Sequence, residues 1–392
     1  MQRKLKDGIY LVGSIDWDRR IFDELVSTPK GTSYNSYLIE DEKNVLIDTV
    51  EPFMVDDFFK NIEDTGIKNI DYVVANHAEQ DHTGALPKIL EKYPNIKIIT
   101  NPKAKSMIKD LIEIPEEKFI TVENGEEIKI GKRTLRFIYT PWVHWPETMI
   151  TYIVEEKILF TCDFFGSHYS TSDVFANDKH NVYNEAKRYY AEIMMPFRNL
   201  IKKHISTVKS LDVDIIAPSH GPAYDDPEFI IKAYEEWVNN EDKGLVLITY
   251  VSMHGSTKTA VEFLERDLME KGINVKIFNL TTSDPGDIAI SLVDAKTLII
   301  GTPTVLGGAH PSAIYIAHLA RALRPTLKNV CVVSSYGWGG QSSQQITSIL
   351  KDLKVKELPS VMIKGYPKKD DFNKLKELSN MIEKNHKEEK NE

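Results

Sequence analysis

His77, Glu79, Asp81 and His82 fall together in the stretch Asn76–Gly84, Asn-His-Ala-Glu-Gln-Asp-His-Thr-Gly. Two imidazoles and two carboxylates form a hard, mixed nitrogen–oxygen donor set. Such a set suits iron, manganese or zinc better than a thiolate-seeking ion. Three further candidate ligands lie downstream: His144, Asp163 and His220. Seven donors can hold two metal ions, each with about three protein groups plus a shared carboxylate, and leave open positions for substrate. The plainer alternative is a polar loop with an N-cap and chance histidines. Against it, each downstream donor ends its own apolar run.

Those runs are the elements that must position the donors. Tyr72–Ala75 reads as a buried strand leading into His77, with a helix starting just after and Thr83 as its N-cap. His144 follows Leu135–Thr140, Asp163 follows Ile158–Cys162, and His220 follows Ile215–Ser219. Carboxyl ends of strands are where α/β folds place ligands. Hairpins are expected at Ser36–Asp48, at Phe119–Ile130 around Asn124-Gly125, and at Met149–Thr161. Helical spacing marks Phe53–Thr65, Pro102–Leu111, a pair within Tyr183–Lys209, and Pro227–Asn239. Phe164–His180 reads as a loop. His168 in that loop is either a proton donor behind the ligands or a surface histidine. Tyr34 and Tyr37 either approach the pocket or pack the core. His180, His204, His318 and His386 read as structural or solvent-facing.

After a polar linker, Asn240–Gly244, the pattern changes. Leu245–Val251 is a continuous apolar run typical of a buried parallel strand. It leads into Ser252-Met253-His254-Gly255-Ser256-Thr257 and an amphipathic helix. Hydroxyls and backbone N–H groups at a helix N-terminus can hold a phosphate dianion. Two more Gly-rich loops follow buried strands: Pro303-Thr304-Val305-Leu306-Gly307 and Ser335-Tyr336-Gly337-Trp338-Gly339-Gly340. Tyr336 or Trp338 could stack on a planar ring; the alternative is a Trp that packs its loop onto the domain. His254 and His310 lie in these loops and are expected to face a bound phosphate or planar ring rather than a metal. With Asn274–Leu280 and Ser360–Ile363 the count reaches five strands alternating with helices, a doubly wound sheet. The charged and polar tail, Glu383–Glu392, reads as a fraying helix end.

At 392 residues the chain exceeds one typical core, so two domains are expected, 1–240 and 244–392. A net charge of −9 with mixed signs points to neither nucleic acid nor a membrane surface. The two cysteines, Cys162 and Cys331, fall in different expected domains, so the chain reads as a reduced, cytoplasmic protein. No apolar run is long enough to span a bilayer, and no apolar segment of a signal peptide follows the N-terminus.

The order His-X-Glu-X-Asp-His, then His, Asp and His, resembles the metallo-β-lactamase superfamily, and the variant with Glu79 resembles flavodiiron proteins. Zinc hydrolases of that superfamily usually carry His-X-His-X-Asp-His; an anionic oxygen at the second position favours a redox-active ion. The resemblance implies an α/β chain: an αββα sandwich with a diiron site, then a flavodoxin-like doubly wound parallel sheet with FMN. It assigns His77, Glu79 and His144 to one iron, Asp81, His82 and His220 to the other, and Asp163 as the bridge. It implies reduction of O2 or NO, and a head-to-tail homodimer, or a dimer of such dimers, in which the FMN of one chain faces the irons of the other. Segments such as Ser14–Asp18 and Met253–Thr257 resemble the methanogen branch, whose members oxidise reduced coenzyme F(420) directly; rubredoxin is the other candidate donor. Two readings from other classes stand beside this one: a zinc hydrolase with a fused flavodoxin, and an electron carrier with a vestigial metal site.

Overall fold

The computed structural model describes residues 2–239 and 243–388. Residues 240–242 of the expected linker and 389–392 of the tail lie outside the described residues. The chain divides into two compact units. One comprises Met1–Tyr190 and Phe197–Val238; the other comprises Asn239–Glu392, with the segment Ala191–Pro196 grouped with it.

The first unit holds a seven-stranded and a five-stranded sheet. Their inner faces share one apolar core. Ile9, Tyr37, Val45, Ile47, Val74 and Ile99 come from the first sheet, and Leu135, Phe137, Met149, Ile153, Ile158 and Phe160 from the second. Each such side chain, fully buried, contributes on the order of 1.5–3 kcal/mol relative to exposure. The central strands of the first sheet, Val45–Ile47, Tyr72–Val74 and Lys97–Thr100, run parallel. In the second sheet Ile158–Cys162 runs parallel to Ile215–Pro218, and Thr134–Tyr139 lies two antiparallel steps away. The carboxyl ends of these three strands therefore share one edge, and His144, Asp163 and His220 follow them.

One expected hairpin is absent. Phe119–Thr121 pairs in parallel with Lys97–Thr100 in the first sheet, whereas Glu127–Lys129 pairs with Thr134–Tyr139 in the second. Asn124-Gly125 is a turn, with Gly125 at φ 83°, but each flanking strand is the edge strand of a different sheet. The half-buried alternation of both segments suits an edge strand as well as a hairpin arm, so periodicity alone does not separate the two.

The second unit is a parallel sheet in the order Val275–Asn279, Leu245–Tyr250, Ala295–Val305, Asn329–Tyr336, with Val361–Lys364 beside the last. This is the flavodoxin order, whose switch point lies between the strands Leu245–Tyr250 and Ala295–Val305. The helices Ser256–Glu270 and Lys369–Glu388 pack on one face through Ala260, Val261, Leu264, Leu375, Leu378 and Ile382. Gly301 permits this close approach: a Cβ there would stand 2.8 Å from Tyr250 Cβ and 2.9 Å from Val261 Cγ1. Among the described residues no helix is long and apolar enough to cross a membrane.

Candidate metal centre and flavin cavity

The seven candidate ligands of the first unit converge. Glu79 Oε2 faces His77 Nε2 at 3.0 Å and His144 Nε2 at 3.1 Å. Asp81 faces the other two imidazoles, Oδ1 to His82 Nε2 at 3.2 Å and Oδ2 to His220 Nε2 at 3.1 Å. Asp163 lies between the two groups. Its Oδ2 is 3.5 Å from His77 Nε2 and 3.6 Å from His144 Nε2. Its Oδ1 is 3.1 Å from His82 Nε2 and 3.3 Å from His220 Nε2. Within each group the donor atoms lie no more than 4.8 Å apart.

These residues fit a pair of ions. Both oxygens of Asp81, Nε2 of His82 and Oδ2 of Asp163 are buried and make no hydrogen bond. Buried polar atoms seldom go unpaired, and an ion at the focus of each group would satisfy all four. In the metal-free protein, protons take that place. Burial opposes charge on His220, but Asp163 and Asp81 outweigh it and push its pKa up to about 10. Glu79 and Asp163 are buried too, yet the facing imidazoles hold both carboxyls well below the usual carboxylate range.

Local sequence explains the convergence. A single helical turn, Gln80–Thr83, presents Asp81 and His82. Thr83 is not the N-cap that the pattern suggests. Its hydroxyl donates to the carbonyls of Ala78 and Glu79, both at 2.9 Å, and pins the ligand loop from inside. The next helix, Leu86–Lys92, starts from Ala85 with no side-chain cap. Gly221, directly after His220, sits at φ 78°, and a Cβ there would fall 2.1 Å from Ser167 Oγ.

Residues behind the ligands fix their orientation. Glu147 Oε1 accepts from His77 Nδ1 at 2.6 Å and from the Ala78 amide at 3.0 Å. The Ser33 carbonyl accepts from His220 Nδ1 at 2.7 Å. Tyr189 donates its hydroxyl to Asp163 Oδ1 at 2.9 Å. Sequence reasoning passed over all of these. Glu147 alone carried a signal, as an acid three residues after His144. His168 is no surface residue. It is buried, 4.7 Å from the Phe22 ring and 5.2 Å from the His220 ring, with Nδ1 2.9 Å from Thr32 Oγ1. Burial, and then the neighbouring His220, push its pKa well below the imidazole range, so it is neutral. The Tyr34 ring lies 5.9 Å from that of His220, while Tyr37 packs in the core and donates to the Pro218 carbonyl.

The second unit has a cavity at its switch point, lined by Ser252, Met253, His254, Ser256, Pro303, Thr304, Ser335, Tyr336, Gly337 and Gly365. All three expected loops reach it. Ser252 Oγ accepts from the amides of Gly255 and Lys258 and so shapes the turn into the helix. Thr257 lies behind the wall, its hydroxyl 2.8 Å from Ser335 Oγ. Val305, Leu306 and Gly307 do not line the cavity. They belong to a tight hairpin in which Val305 pairs with Gly308, and Leu306 at its tip is 97% exposed. Gly255, Trp338, Gly339 and Gly340 are not among the lining residues either, and Trp338 is 76% exposed, so the aromatic at the wall is Tyr336. His310 caps the helix Pro311–Leu323, accepting from the Ser312 amide. Gly365 lines the cavity from the fifth strand, a contribution its sequence did not signal. Hydroxyls, an open helix N-terminus and one aromatic wall are what a flavin phosphate and ring need.

Comparisons with known proteins agree with this geometry. Residues 32–221 match the family described as ODP family beta lactamase. The chain is 36% identical, over 96% of its length and 97% of the relative's, to the nitric oxide reductase of Moorella thermoacetica. It superposes on the rubredoxin oxygen:oxidoreductase of Desulfovibrio gigas with a TM-score of 0.96, at 30% identity over 99% of both chains. It also superposes on the flavodiiron protein of Giardia intestinalis with a TM-score of 0.92, at 27% identity over 98% of this chain and 97% of that one. The chain belongs to the flavodiiron proteins. As a flavodiiron protein it is an oxidoreductase with a non-haem diiron centre and FMN. Its fold is the lactamase-like unit followed by the flavodoxin-like one.

Proposed function

We propose that this flavodiiron protein reduces dioxygen to water, with electrons passed from reduced coenzyme F(420) through FMN to iron. The carrying observation is Asp163, whose two oxygens turn one to each trio of donors. We assign His77, Glu79 and His144 to one iron, Asp81, His82 and His220 to the other, and Asp163 to both. Loaded, two ferrous ions and a reduced flavin together supply the four electrons that dioxygen needs, with four protons, to become two waters.

The protein's own groups hold and shield this chemistry. Glu147 and the Ser33 carbonyl keep the inward Nε2 atoms of His77 and His220 free of protons once metal is bound. Phe22, Tyr34 and Trp145 stand near the imidazoles and limit water. Ser252, Ser256 and the helix amides would hold the FMN phosphate, and Tyr336 would supply an aromatic wall for its ring. Residues 1–240 form the iron domain and 244–392 the flavin domain. A head-to-tail homodimer brings the FMN of one chain to the irons of the other. The compartment is the reducing cytoplasm, consistent with two free, buried cysteines.

The segments that resemble the methanogen branch support the deazaflavin donor. The likeness to an enzyme named rubredoxin oxygen:oxidoreductase supports dioxygen as substrate, and rubredoxin as the other donor. Nitric oxide is the second reading, supported by the relative named nitric oxide reductase. The test begins with metal and flavin content of anaerobically purified protein. Two irons and one FMN per chain are expected; zinc without iron would favour a hydrolase instead. Stopped-flow reduction of the bound FMN by reduced coenzyme F(420) and by reduced rubredoxin then separates the donors. No reduction by the deazaflavin rejects that donor, and faster turnover of NO than of O2 reverses the substrate.

A further inference from the structure

The two donor groups are alike in kind: each has two imidazoles, one carboxylate of its own and one oxygen of Asp163. What differs is the hydrogen bonding behind them. In the group of His77, Glu79 and His144, the Nδ1–H of His77 donates to the Glu147 carboxylate at 2.6 Å. A carboxylate behind an imidazole raises the basicity of its inward nitrogen. In the group of Asp81, His82 and His220, the Nδ1–H of His220 donates only to a neutral carbonyl, that of Ser33. The shared carboxylate is also polarised. Tyr189, itself buried, donates to Asp163 Oδ1, the oxygen turned to the second group, and draws electron density from it. Asp163 Oδ2, turned to the first group, receives no hydrogen bond.

Both contacts act in the same direction. We propose that Glu147 and Tyr189 are positioning residues that make the two metal positions unequal, so that the His77–Glu79–His144 position binds the more tightly and fills first. Glu147 strengthens a donor of that position, and Tyr189 weakens the bridging donor of the other. This rests on the two-metal reading above. The residues that hold the metals are the same in type, and the ranking is assigned to these two outer contacts.

The test is equilibrium competition between a chelator and the full chain, flavin-loaded and carrying cobalt(II), a redox-inert probe with a visible spectrum. Wild type is expected to release its two ions in two steps at least about tenfold apart, within the 10–100-fold range over which outer contacts change metal affinity. Asp81→Asn identifies the weaker step, because it should shift that step alone. Tyr189→Phe, which removes only the hydroxyl, should tighten the weaker step and narrow the gap. Glu147→Gln should loosen the tighter step and narrow the gap from the other side. A Tyr189→Phe protein with both steps weakened, or with the gap unchanged, overturns the proposal. Fewer than two cobalt ions per wild-type chain would overturn the two-metal reading itself.

Discussion

Asp48 closes both of its carboxylate oxygens on Asn76. Oδ1 accepts the Asn76 backbone amide at 2.8 Å, and Oδ2 accepts Asn76 Nδ2 at 2.9 Å. The two residues end adjacent parallel strands, and Asn76 immediately precedes His77. Ser219, which precedes His220, also donates to Asp48 Oδ2, at 3.3 Å. One buried carboxylate therefore ties the ligand loop of the first sheet to that of the second.

Asp48→Ala should leave a buried amide and a buried side-chain donor unpaired. Hydrogen bonds to a charged group contribute about 1.5–3 kcal/mol each, and the orphaned groups add to the loss. A total of about 3–6 kcal/mol is expected. Differential scanning calorimetry should show the first unit melting several degrees lower, and iron content should fall. Unchanged melting and unchanged iron would remove Asp48 from this role.

Asp163→Asn should weaken or uncouple the metal pair and leave the flavin in place. The substitution keeps the shape but removes the negative charge, leaving one neutral amide oxygen and an NH2 group where two carboxylate oxygens faced the ions. Iron per chain should drop while FMN absorbance stays at one equivalent. Wild-type iron content and turnover in this variant would count against a bridging role.

The metal-free protein should respond to alkali in a way the loaded protein does not. His220 has a folded pKa pushed up to about 10 by Asp163 and Asp81 against burial, above the roughly 6.5 of an unfolded chain. Its contribution is therefore fully present below about pH 6.5 and is lost as pH rises toward about 10. Metal needs the imidazole neutral, so loading should abolish this loss and release protons. Urea midpoints of metal-free protein between pH 6 and 10 check the first statement. Titration calorimetry in buffers of different ionisation enthalpy checks the second.

In the flavin unit, Tyr336→Leu should weaken FMN binding by about two- to tenfold, the worth of one aromatic pairing. Trp338→Leu should change it less, because Trp338 is mostly exposed and outside the cavity wall. Fluorescence titration of flavin-free protein ranks the two. The reverse order would place Trp338 over the ring.

Much of this molecule was legible in its residues. The donors His77, Glu79, Asp81, His82, His144, Asp163 and His220 stand out because each ends an apolar run, and strand ends gather where a sheet meets its ligands. The five strands of the second unit were legible for the same reason, as buried runs punctuated by Gly-rich loops. The absent hairpin at Phe119–Ile130 was not, since an edge strand reads alike whichever sheet takes it. Tyr189 was also hidden: a helical tyrosine shows nothing in sequence until the fold brings Asp163 beneath its hydroxyl. Leu306 misled for a related reason. Pro303 and Thr304 before it line the cavity, but the tight turn from Val305 to Gly308 carries its side chain outward.

Cys162 and Cys331 are both free and buried, one beside Asp163 in the first unit and one in the central sheet of the second. Each unit thus contains its own concealed thiol. A thiol-reactive dye added to native protein would meet neither until the surrounding strands part. The two labelling rates, resolved by mass, would time the opening of each half of the chain separately and without any engineered probe.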